Sequence, residues 1–481
     1  MDAVNTGAMN LPRALAVGDV LDGFRLEQHL HRGGMANLWR VANIDPARAP
    51  LPTAAAMKIP LLRGEMDPTA IVGFEVEQMI MPRLAGPHVP RFYAASGFEA
   101  TPYIVMELIE GSTLHERFAQ APLDADEVAR IGTAIATALH DLHRQHVIHF
   151  DVKPGNVLFR PTGEAVLIDF GLARHDQLPD LLAEEFHLPM GTGPYIAPEQ
   201  VQGLRTDARS DLFALGVVLY QLVTGARPFG DPNTRVGLKR RLYRIPVPPR
   251  ALVPACPPWL QEVILRCIET APAERYGSAA QVAFDLTHPH AVALTERAAR
   301  LTVPPWRTRV ARWWRALGAE PVSVNVSRQL ARAPLVMAAV DTAKEWEALA
   351  DDLRVAVRRI LQTEPDARLA CVAVRIKPRI AMDEPADDDG RSLHVKRLVE
   401  LKHWARPLEL PQERVTYHVL EGTEVAAALL EYARTNRVDH LVIGSRGKLE
   451  SGRAPALISS RIVAEAPCTV TVVKTVIRDP S

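Results

Sequence analysis

The chain of 481 residues has few cysteines and no net charge, and these two absences exclude several classes of protein. Its four cysteines lie far apart without short paired spacing, which argues against a disulfide framework or a zinc knuckle. Its 56 basic residues equal its 56 acidic residues, so no bulk attraction to nucleic acid or anionic lipid is expected. No stretch approaches about 18 uninterrupted apolar residues, the length that a membrane-spanning helix needs. The first twenty residues lack the basic start and apolar core of a secretory signal. The composition therefore predicts a cytoplasmic globular protein without a membrane span.

Three regions of different character follow one another along the chain, between short tails at 1–17 and 477–481. Residues 18–289 contain strand-like runs first and long apolar helices later. Residues 290–333 are rich in Arg and Trp and form a linker. In residues 334–476 short Val-rich runs alternate with helical stretches, a pattern typical of βαβ units around a parallel sheet.

The first region predicts a strand-rich part followed by a helical part. Residues 21–41 have the alternation of a hairpin interrupted at 31–34, and residues 54–59, 103–106 and 165–168 read as further strands. Asp67 and Pro68 start a helix that should end near 81–84. Asp211 precedes a run that is apolar on all sides, which predicts a helix in the centre of a large lobe.

The segment 149–156, His-Phe-Asp-Val-Lys-Pro-Gly-Asn, carries most of the chemical information. Asp151 can orient a hydroxyl nucleophile and take its proton, and Lys153 can neutralise phosphoryl oxygens. Asn156 offers an amide oxygen to a hard cation, and Asp169, in an Asp-Phe-Gly motif after a predicted buried strand, offers a second oxygen ligand. The four residues predict a phosphoryl-transfer site with a metal held by Asn156 and Asp169.

These motifs, followed by Ala-Pro-Glu at 197–199, stand in the order found in protein kinases. Residues 18–289 resemble a bacterial eukaryotic-like Ser/Thr protein kinase, which implies an α+β bilobal fold, ATP with Mg²⁺ (Mn²⁺ as an alternative), and protein substrates. The resemblance makes Lys58 the strand lysine that binds the α- and β-phosphates and Glu77 its helix partner. It also pairs Arg275 with Glu199.

The resemblance further implies the residues that surround the nucleotide. Met106 corresponds to the gatekeeper, with Glu107 and Ile109 as hinge residues. In the glycine-rich loop only the middle glycine of the family pattern is kept, His31 replaces the first, and Leu38 takes the place of the valine that covers adenine. The implied nucleotide contacts are Leu30, His31, Gly33, Gly34, Ala36, Leu38, Ala56, Lys58, Glu77, Met106, Glu107, Ile109 and Leu158.

Phe150 departs from the family pattern, which commonly has an arginine whose charge is neutralised by a phosphorylated activation loop. Between Phe170 and Tyr195 the only hydroxyl residue is Thr192, which corresponds to the family threonine that bonds the catalytic Asp and Lys. The same segment is acidic. We therefore hypothesise that catalysis does not depend on phosphorylation of this loop. Lys153 and Thr192 together resemble Ser/Thr-specific rather than Tyr-specific kinases.

The linker contains Trp306, Trp313 and Trp314 at helical spacing between arginines. This pattern fits an amphipathic helix that docks one domain on another better than an interfacial membrane helix or a calmodulin-target-like segment.

Residues 334–476 resemble a universal stress protein domain, a doubly wound α/β fold with a parallel sheet. Asp341 corresponds to the family aspartate near adenine, and Gly-Ser-Arg-Gly at 444–447 to the first half of the phosphate loop. Its second half is altered, since Ala456 and Leu457 stand where the family has Gly-Ser, with Ser459 or Ser460 as substitutes. Two readings stay open for this domain: a nucleotide site, or a sensor or dimerisation domain with an empty site.

The sequence as a whole predicts an ATP-dependent Ser/Thr protein kinase coupled to stress sensing through its C-terminal domain. A nucleotide-binding pseudokinase scaffold without turnover is the alternative. His31, which replaces the first glycine of the glycine-rich loop, favours this alternative. In a third reading the C-terminal domain is the effector and the kinase is its switch.

Overall fold

The computed structural model describes residues 15–33, 35–45, 55–61, 68–186, 189–232, 234–303, 333–341, 347–376, 392–445 and 455–474. They form a lobe built on one sheet, a larger helical lobe, and a C-terminal domain built on a second sheet. The predicted linker helix around Trp306 and the predicted helix cap Asp67 lie outside these ranges. In the residues described, no helix is both long and apolar enough to cross a membrane.

The N-terminal sheet contains, within the described ranges, β1 (Val20–Leu21), β2 (Phe24–Arg32), β3 (Ala36–Asn43), β4 (Ala55–Pro60), β5 (Phe92–Ser96) and β6 (Tyr103–Glu107). The strands are antiparallel in the order β1-β2-β3-β4-β6-β5, so β4 lies between β3 and β6. Phe24 and Leu26 on β2, and Trp39 and Val41 on β3, are buried at the two-residue spacing of a strand with one apolar face. The predicted hairpin and the strands beginning near 54 and 103 are confirmed.

Helix α1 (Pro68–Ile80) packs beside this sheet and continues into a 3-10 turn at Met81–Arg83. Pro82 has no amide hydrogen to donate, so the α-helical hydrogen-bond pattern stops there. The predicted end of this helix near 81–84 is confirmed.

The helical lobe contains α2 (Leu114–Phe118), α3 (Ala125–Arg144), α4 (Leu181–Glu185), α5 (Pro198–Val201), α6 (Arg209–Thr224), α7 (Arg235–Lys239), α8 (Pro249–Leu252), α9 (Pro258–Cys267), α10 (Ala279–Thr287) and α11 (Glu296–Ala299). Short strands at its border with the sheet lobe are β7 (Ser112–Thr113), β8 (Val147–Ile148), β9 (Val157–Phe159), β10 (Ala165–Leu167) and β11 (Arg174–His175). Together with the N-terminal sheet they give the predicted α+β bilobal architecture.

Helix α6 is the predicted central helix, and it is buried on every side. Asp211 lies in its first turn, directly before the apolar run, so the prediction that Asp211 stands at the start of the central helix is confirmed. The carboxylate of Asp207 accepts a hydrogen bond from the amide of Arg209 at 2.9 Å, which satisfies one of the unpaired amides of the first turn. Helix α3 crosses α6 closely, since a Cβ on Gly132 would lie 2.7 Å from Leu219.

The C-terminal domain has a parallel sheet in the order β14-β13-β12-β15-β16, which confirms the predicted doubly wound α/β fold. Its strands are β12 (Leu335–Ala339), β13 (Arg368–Ile376), β14 (Val415–Gly422), β15 (His440–Ser445) and β16 (Thr469–Lys474). Its described helices are α12 (Glu347–Thr363), α13 (Leu393–Ala405), α14 (Val425–Thr435) and α15 (Pro455–Glu465). Helices α12 and α13 cover one face of the sheet, while α14 and α15 cover the other.

Candidate active site

The side chains of Glu77 on α1 and Asp169, two residues after β10, meet at Lys58 on β4. Its Nζ donates to Glu77 Oε2 of α1 at 2.6 Å and to Asp169 Oδ1 at 2.8 Å. The Lys58 ammonium lowers the pKa of Asp169 to about 2, because the nearby positive charge outweighs the partial loss of hydration around the carboxylate. Glu77 is fully buried, and burial raises its pKa although Lys58 opposes the shift. The Lys58–Glu77 pair predicted from the sequence is therefore formed, and it also holds Asp169.

A second group of side chains surrounds the carboxylate of Asp151. Lys153 Nζ donates to Oδ2 at 2.6 Å, and Asn156 Nδ2 donates to the same oxygen at 3.0 Å. The hydroxyl of Thr192 donates to Oδ1 at 2.6 Å and lies 3.0 Å from Lys153 Nζ. The structure thus brings together Asp151, Lys153, Asn156 and Thr192, four residues that the sequence had singled out.

The backbone of Ile168, the residue before Asp169, ties the two groups to each other. Its amide donates to the carbonyl oxygen of Asn156 at 3.0 Å, and its carbonyl oxygen accepts from Nε2 of His149 at 3.1 Å. The ring of His149 also contacts Phe170 with centroids 5.3 Å apart. The segments that carry Asp151 and Asp169 are therefore adjacent.

Two residues of the site have strained backbones, and a buried carboxylate holds one of them. Phe150 and Asp169 have φ values of 61° and 66°, the left-handed region that residues other than glycine rarely adopt. Asp211, fully buried on α6, accepts from the amides of His149 and Phe150 at 2.9 and 2.8 Å. This carboxylate keeps the loop before Asp151 in its strained form.

The residues assigned to adenine lie where β3, β4 and β6 run side by side. Ala56 pairs with Met106 across the β4–β6 ladder, and both are buried in one apolar cluster against which Leu38 packs. Glu107 ends β6, and its carboxylate accepts from both terminal nitrogens of Arg160 at 2.6 and 3.1 Å. The remaining assigned side chains are more open: Ile109 and Leu158 are half-buried, and Leu30 is exposed.

The glycine-rich loop closes the β2–β3 hairpin. His31 remains on β2, exposed and paired with Leu38, after a register shift between His29 and His31. The interruption predicted at 31–34 therefore begins only after Arg32, where β2 ends. Gly33 donates its amide to the carbonyl oxygen of Ala36 at 2.9 Å, and a Cβ at Gly33 would come within 3.2 Å of that oxygen. Gly34 lies outside the described residues.

The segment between Asp169 and Glu199 is anchored by arginines. The guanidinium of Arg205 lies 4.8 Å from the ring centroid of Phe150, and its Nε donates to Asp180 Oδ2 at 3.1 Å. Arg174 Nη1 donates to the carbonyl oxygen of Arg205 at 2.7 Å. Position 150, where the family commonly has an arginine, is thus occupied by a phenylalanine that packs against Arg205.

Two positioning contacts were missed at the sequence level. Asp211 was recognised only as a helix start, although its place in the order of motifs was noted. Gln200 follows the Ala-Pro-Glu motif, and its Nε2 donates to the carbonyl oxygens of Phe150 and Met190 at 2.9 and 3.1 Å. The only signal in the sequence was the position of Gln200 directly after the Ala-Pro-Glu motif.

A separate cavity of about 360 Å³ lies at the carboxyl ends of β12 and β15 in the C-terminal domain. It is lined by Asp341, Arg397, Gly444 and Ser459 among apolar residues, and Ser445 Oγ lies 3.4 Å from Ser459 Oγ. A Cβ on Gly444 would lie 2.8 Å from Leu349, so that helix α12 closely covers this strand end. Arg446 and Gly447 lie outside the described residues.

Comparison with known proteins agrees with both halves of this description. Residues 54–287 match the protein kinase domain family, and residues 282–474 match the universal stress protein family. The chain is 31% identical over 291 residues to the serine/threonine-protein kinase Pkn1 of Myxococcus xanthus, covering 58% of this chain and 41% of that protein. It is 34% identical over 275 residues to the serine/threonine-protein kinase PknA of Mycobacterium tuberculosis, covering 54% and 60%.

A third relative is the probable serine/threonine-protein kinase PknB of Lactococcus lactis, 32% identical over 267 residues, with 55% of this chain and 42% of that protein covered. The chain thus spans about half the length of the curated relatives it matches. The chain therefore contains a protein kinase domain followed by a universal stress protein domain, and these three relatives are bacterial proteins named as serine/threonine-protein kinases.

Proposed function

We propose that the chain transfers the γ-phosphoryl group of ATP to serine and threonine hydroxyls of proteins. The observation that carries the proposal is the adjacency of two hydrogen-bonded groups, Lys58 with Asp169 and Asp151 with Lys153. One group supplies charge for a triphosphate and a metal, and the other supplies a base and a cation for the acceptor. The relatives are named as kinases of this class, which supports the same assignment.

Each side chain has a definite task in this reaction. Asp151 orients the acceptor hydroxyl, whose oxygen attacks the γ-phosphorus, and it takes the hydroxyl proton. The bond from the γ-phosphorus to the bridging oxygen of the β-phosphate breaks, and ADP leaves. Lys58 binds the α- and β-phosphates, while Lys153 offsets charge on the transferred group. Glu77 keeps Lys58 in place.

We further propose Asn156 and Asp169 as the ligands of Mg²⁺, with Mn²⁺ as an alternative. Both provide oxygen donors, which these hard cations prefer. Asn156 directs its amide nitrogen to Asp151, so its amide oxygen points the other way. Asp169 uses Oδ1 toward Lys58, and its side chain is 42% exposed, so the carboxylate remains accessible. A bound divalent ion would neutralise phosphate charge.

The preference for serine and threonine rests on the link from Lys153 through Thr192 to Asp151. The link holds the base Asp151 and the cation Lys153 close together, with Nζ of Lys153 2.6 Å from Oδ2 of Asp151. This short separation suits the short side chains of serine and threonine, which carry their hydroxyl on the β-carbon. We place the reaction in the cytoplasm, where ATP is available and where the four free cysteines, three of them buried, would stay reduced.

Labelled ATP tests the proposal directly. The purified full chain with Mg²⁺ should phosphorylate itself or a generic protein acceptor on serine or threonine, as mapped by mass spectrometry. Asp151→Asn should lower the rate by roughly 10²- to 10⁴-fold, the contribution of a general base. Asp176→Asn, which changes an exposed acid paired with His146, is the matched control and should retain the rate. ATP binding without phosphoryl transfer by the unmodified chain would instead establish the pseudokinase alternative.

A second candidate function belongs to the cavity at Asp341 and Gly444. We propose that it binds an adenine nucleotide, because it lies between strand ends on either side of the point where the sheet order reverses. ATP titrated into Lys58→Met protein should give a binding signal that Asp341→Ala removes. If no such signal appears and light scattering shows a dimer, the domain is a dimerisation module.

A further inference from the structure

The C-terminal domain contacts helix α1 of the kinase from the side opposite the active site. Nζ of Lys402 on α13 donates to Oε1 of Glu75 on α1, and Glu75 is almost fully buried. Residues two apart on a helix point about 200° apart, so Glu75 and Glu77 face opposite ways. Glu77 is held by Lys58 inside the kinase, and Glu75 is held by the C-terminal domain.

Apolar and aromatic side chains enclose this contact. Ile71 and Phe74 of α1 belong to the same hydrophobic cluster as Leu398 and Trp404 of α13. The ammonium of Lys402 lies 5.7 Å from the ring centroid of Phe98 in the kinase and 5.8 Å from that of Tyr417 on β14. In such surroundings an ion pair is weakly screened, and removing one partner leaves the other charge uncompensated.

A second contact joins the C-terminal domain to the segment between Asp169 and Glu199. Helix α4 presents Glu184, whose Oε1 accepts from Arg368 at 2.7 Å and whose Oε2 lies 3.1 Å from Nε2 of His418. Its carbonyl oxygen accepts from Asn436 at 3.0 Å. Oε2 of Glu185 lies 3.4 Å from Nδ1 of His418. Glu184 and Glu185 of α4 thus contact Arg368 and His418 of the C-terminal domain.

These two contacts bear on the parts of a kinase that must be in place before transfer, namely the lysine–glutamate pair and the activation segment. In this chain Thr192 is the one hydroxyl residue between Phe170 and Tyr195, and its hydroxyl is bonded to Asp151 and Lys153. A phosphate–arginine contact is therefore not what orders the segment. Instead, the C-terminal domain contacts α1 and α4.

We propose that Lys402 is a positioning residue for the kinase centre, acting through Glu75 to hold α1 where Glu77 meets Lys58. The universal stress protein domain then serves as an intramolecular activator, and its contact on α4 holds the activation segment in the same state. The inference rests on the proposed kinase activity. Lys402 touches neither nucleotide nor acceptor, so its effect must pass through α1.

The test uses Lys402→Met in the full chain. We expect kcat/KM to fall by about tenfold or more, within the usual range of coupling between distant sites, and Lys402→Arg to restore most of it. In a Glu77→Gln background the same change should add little, because the pair through which Lys402 acts is already broken. An equal loss in both backgrounds, or no loss in either, would overturn the proposal.

Hydrogen exchange of α1 separates this idea from the kinase activity itself. Lys402→Met should speed amide exchange in residues 68–80, and the exchanged pair Glu75→Lys with Lys402→Glu should slow it again and recover kcat/KM. Glu413→Gln is the matched control, since it removes another contact between the domains, with Arg83, in which the Glu413 side chain is 50% exposed. Unchanged exchange in Lys402→Met contradicts the inference, and so do equal effects of Lys402→Met and Glu413→Gln on the exchange of α1. An inactive unmodified chain would refute the proposed function but leave the exchange result decisive for positioning.

Discussion

Thr192 joins the activation segment to Asp151 through two hydrogen bonds to one oxygen. Its hydroxyl and its amide donate to Oδ1 of Asp151 at 2.6 and 3.0 Å, and Lys153 Nζ lies 3.0 Å from the same hydroxyl. The proposed base is therefore oriented by the loop that lies across it, and loop position and base position are coupled.

This coupling predicts that the hydroxyl matters more than the shape of the side chain. Thr192→Val keeps the volume but removes a hydrogen bond to a charged group, which should lower kcat by about 10- to 100-fold. Thr192→Ser keeps the hydroxyl and should stay close to the unmodified rate. Initial-rate measurements on both variants check this. A Val variant as active as the Ser variant would show that the hydroxyl of Thr192 does not couple the loop to Asp151.

Loop phosphorylation should be unnecessary for activity. Arg205 packs on Phe150 and bonds Asp180, and α4 is bonded to the C-terminal domain, so the segment is ordered by unmodified residues. We expect phosphatase treatment to leave the initial rate unchanged, with the peptide covering residues 170–195 examined by mass spectrometry. A rate lost together with a phosphate on that peptide would refute the hypothesis.

Local patterns explain why so much of the kinase centre could be predicted. Asp151, Lys153 and Asn156 lie within six consecutive residues, and Asp169 follows a short buried strand, so the pattern itself carries their proximity. The parallel sheet of the C-terminal domain was predictable for a similar reason, since short apolar runs alternate with helical stretches along residues 334–476.

The contacts between the domains could not be predicted in this way. Lys402 and Glu75 are 327 positions apart, and nothing near either residue marks it among the other charged residues. The acidic character of the loop at 184–185 was visible in the sequence. Its partners Arg368 and His418 were not, because their proximity depends on how a complete domain packs on α1 and α4.

The pair Arg275–Glu199 should contribute strongly to the stability of the helical lobe. Two guanidinium nitrogens of Arg275 donate to the two carboxylate oxygens of Glu199, both at 2.7 Å, and both residues are buried. Arg275→Met leaves a buried carboxylate without its cation and should lower the free energy of unfolding by about 3–5 kcal/mol. Urea-induced unfolding measures the loss.

The matched control for this change is Arg130→Met. Arg130 also forms a two-nitrogen contact with a carboxylate, that of Glu127, but its side chain is 55% exposed. Its loss should cost less than about 1 kcal/mol. Equal losses in the two variants would show that burial of the Arg275 pair adds nothing.

The contact between His418 and α4 should make stability depend on pH. Burial lowers the pKa of His418, but the hydrogen bonds that its ring donates to Glu184 and Glu185, together with their negative charges, outweigh burial and raise the pKa to about 9. Charged and titratable groups facing His418 come from several elements: Glu184 and Glu185 of α4, Tyr432 of α14, His394 of α13 and, through Glu184, Arg368 of β13. A raised pKa in the folded state means that protonated His418 stabilises the fold below about pH 6.5. This contribution is lost as pH rises through 9.

We therefore expect the free energy of unfolding of the full chain to fall by up to about 3 kcal/mol between pH 6.5 and 9.5, the equivalent of a pKa raised from 6.5 to about 9. Burial raises the pKa of Glu185 to about 7, so the cost of ionising it develops mainly below this window. His418→Gln should flatten the profile, whereas His146→Asn, which changes an exposed histidine paired with Asp176, should leave it as steep as before. Urea unfolding at intervals of pH checks both, and parallel profiles for the unmodified chain and His418→Gln would mean that His418 is not charged at this interface.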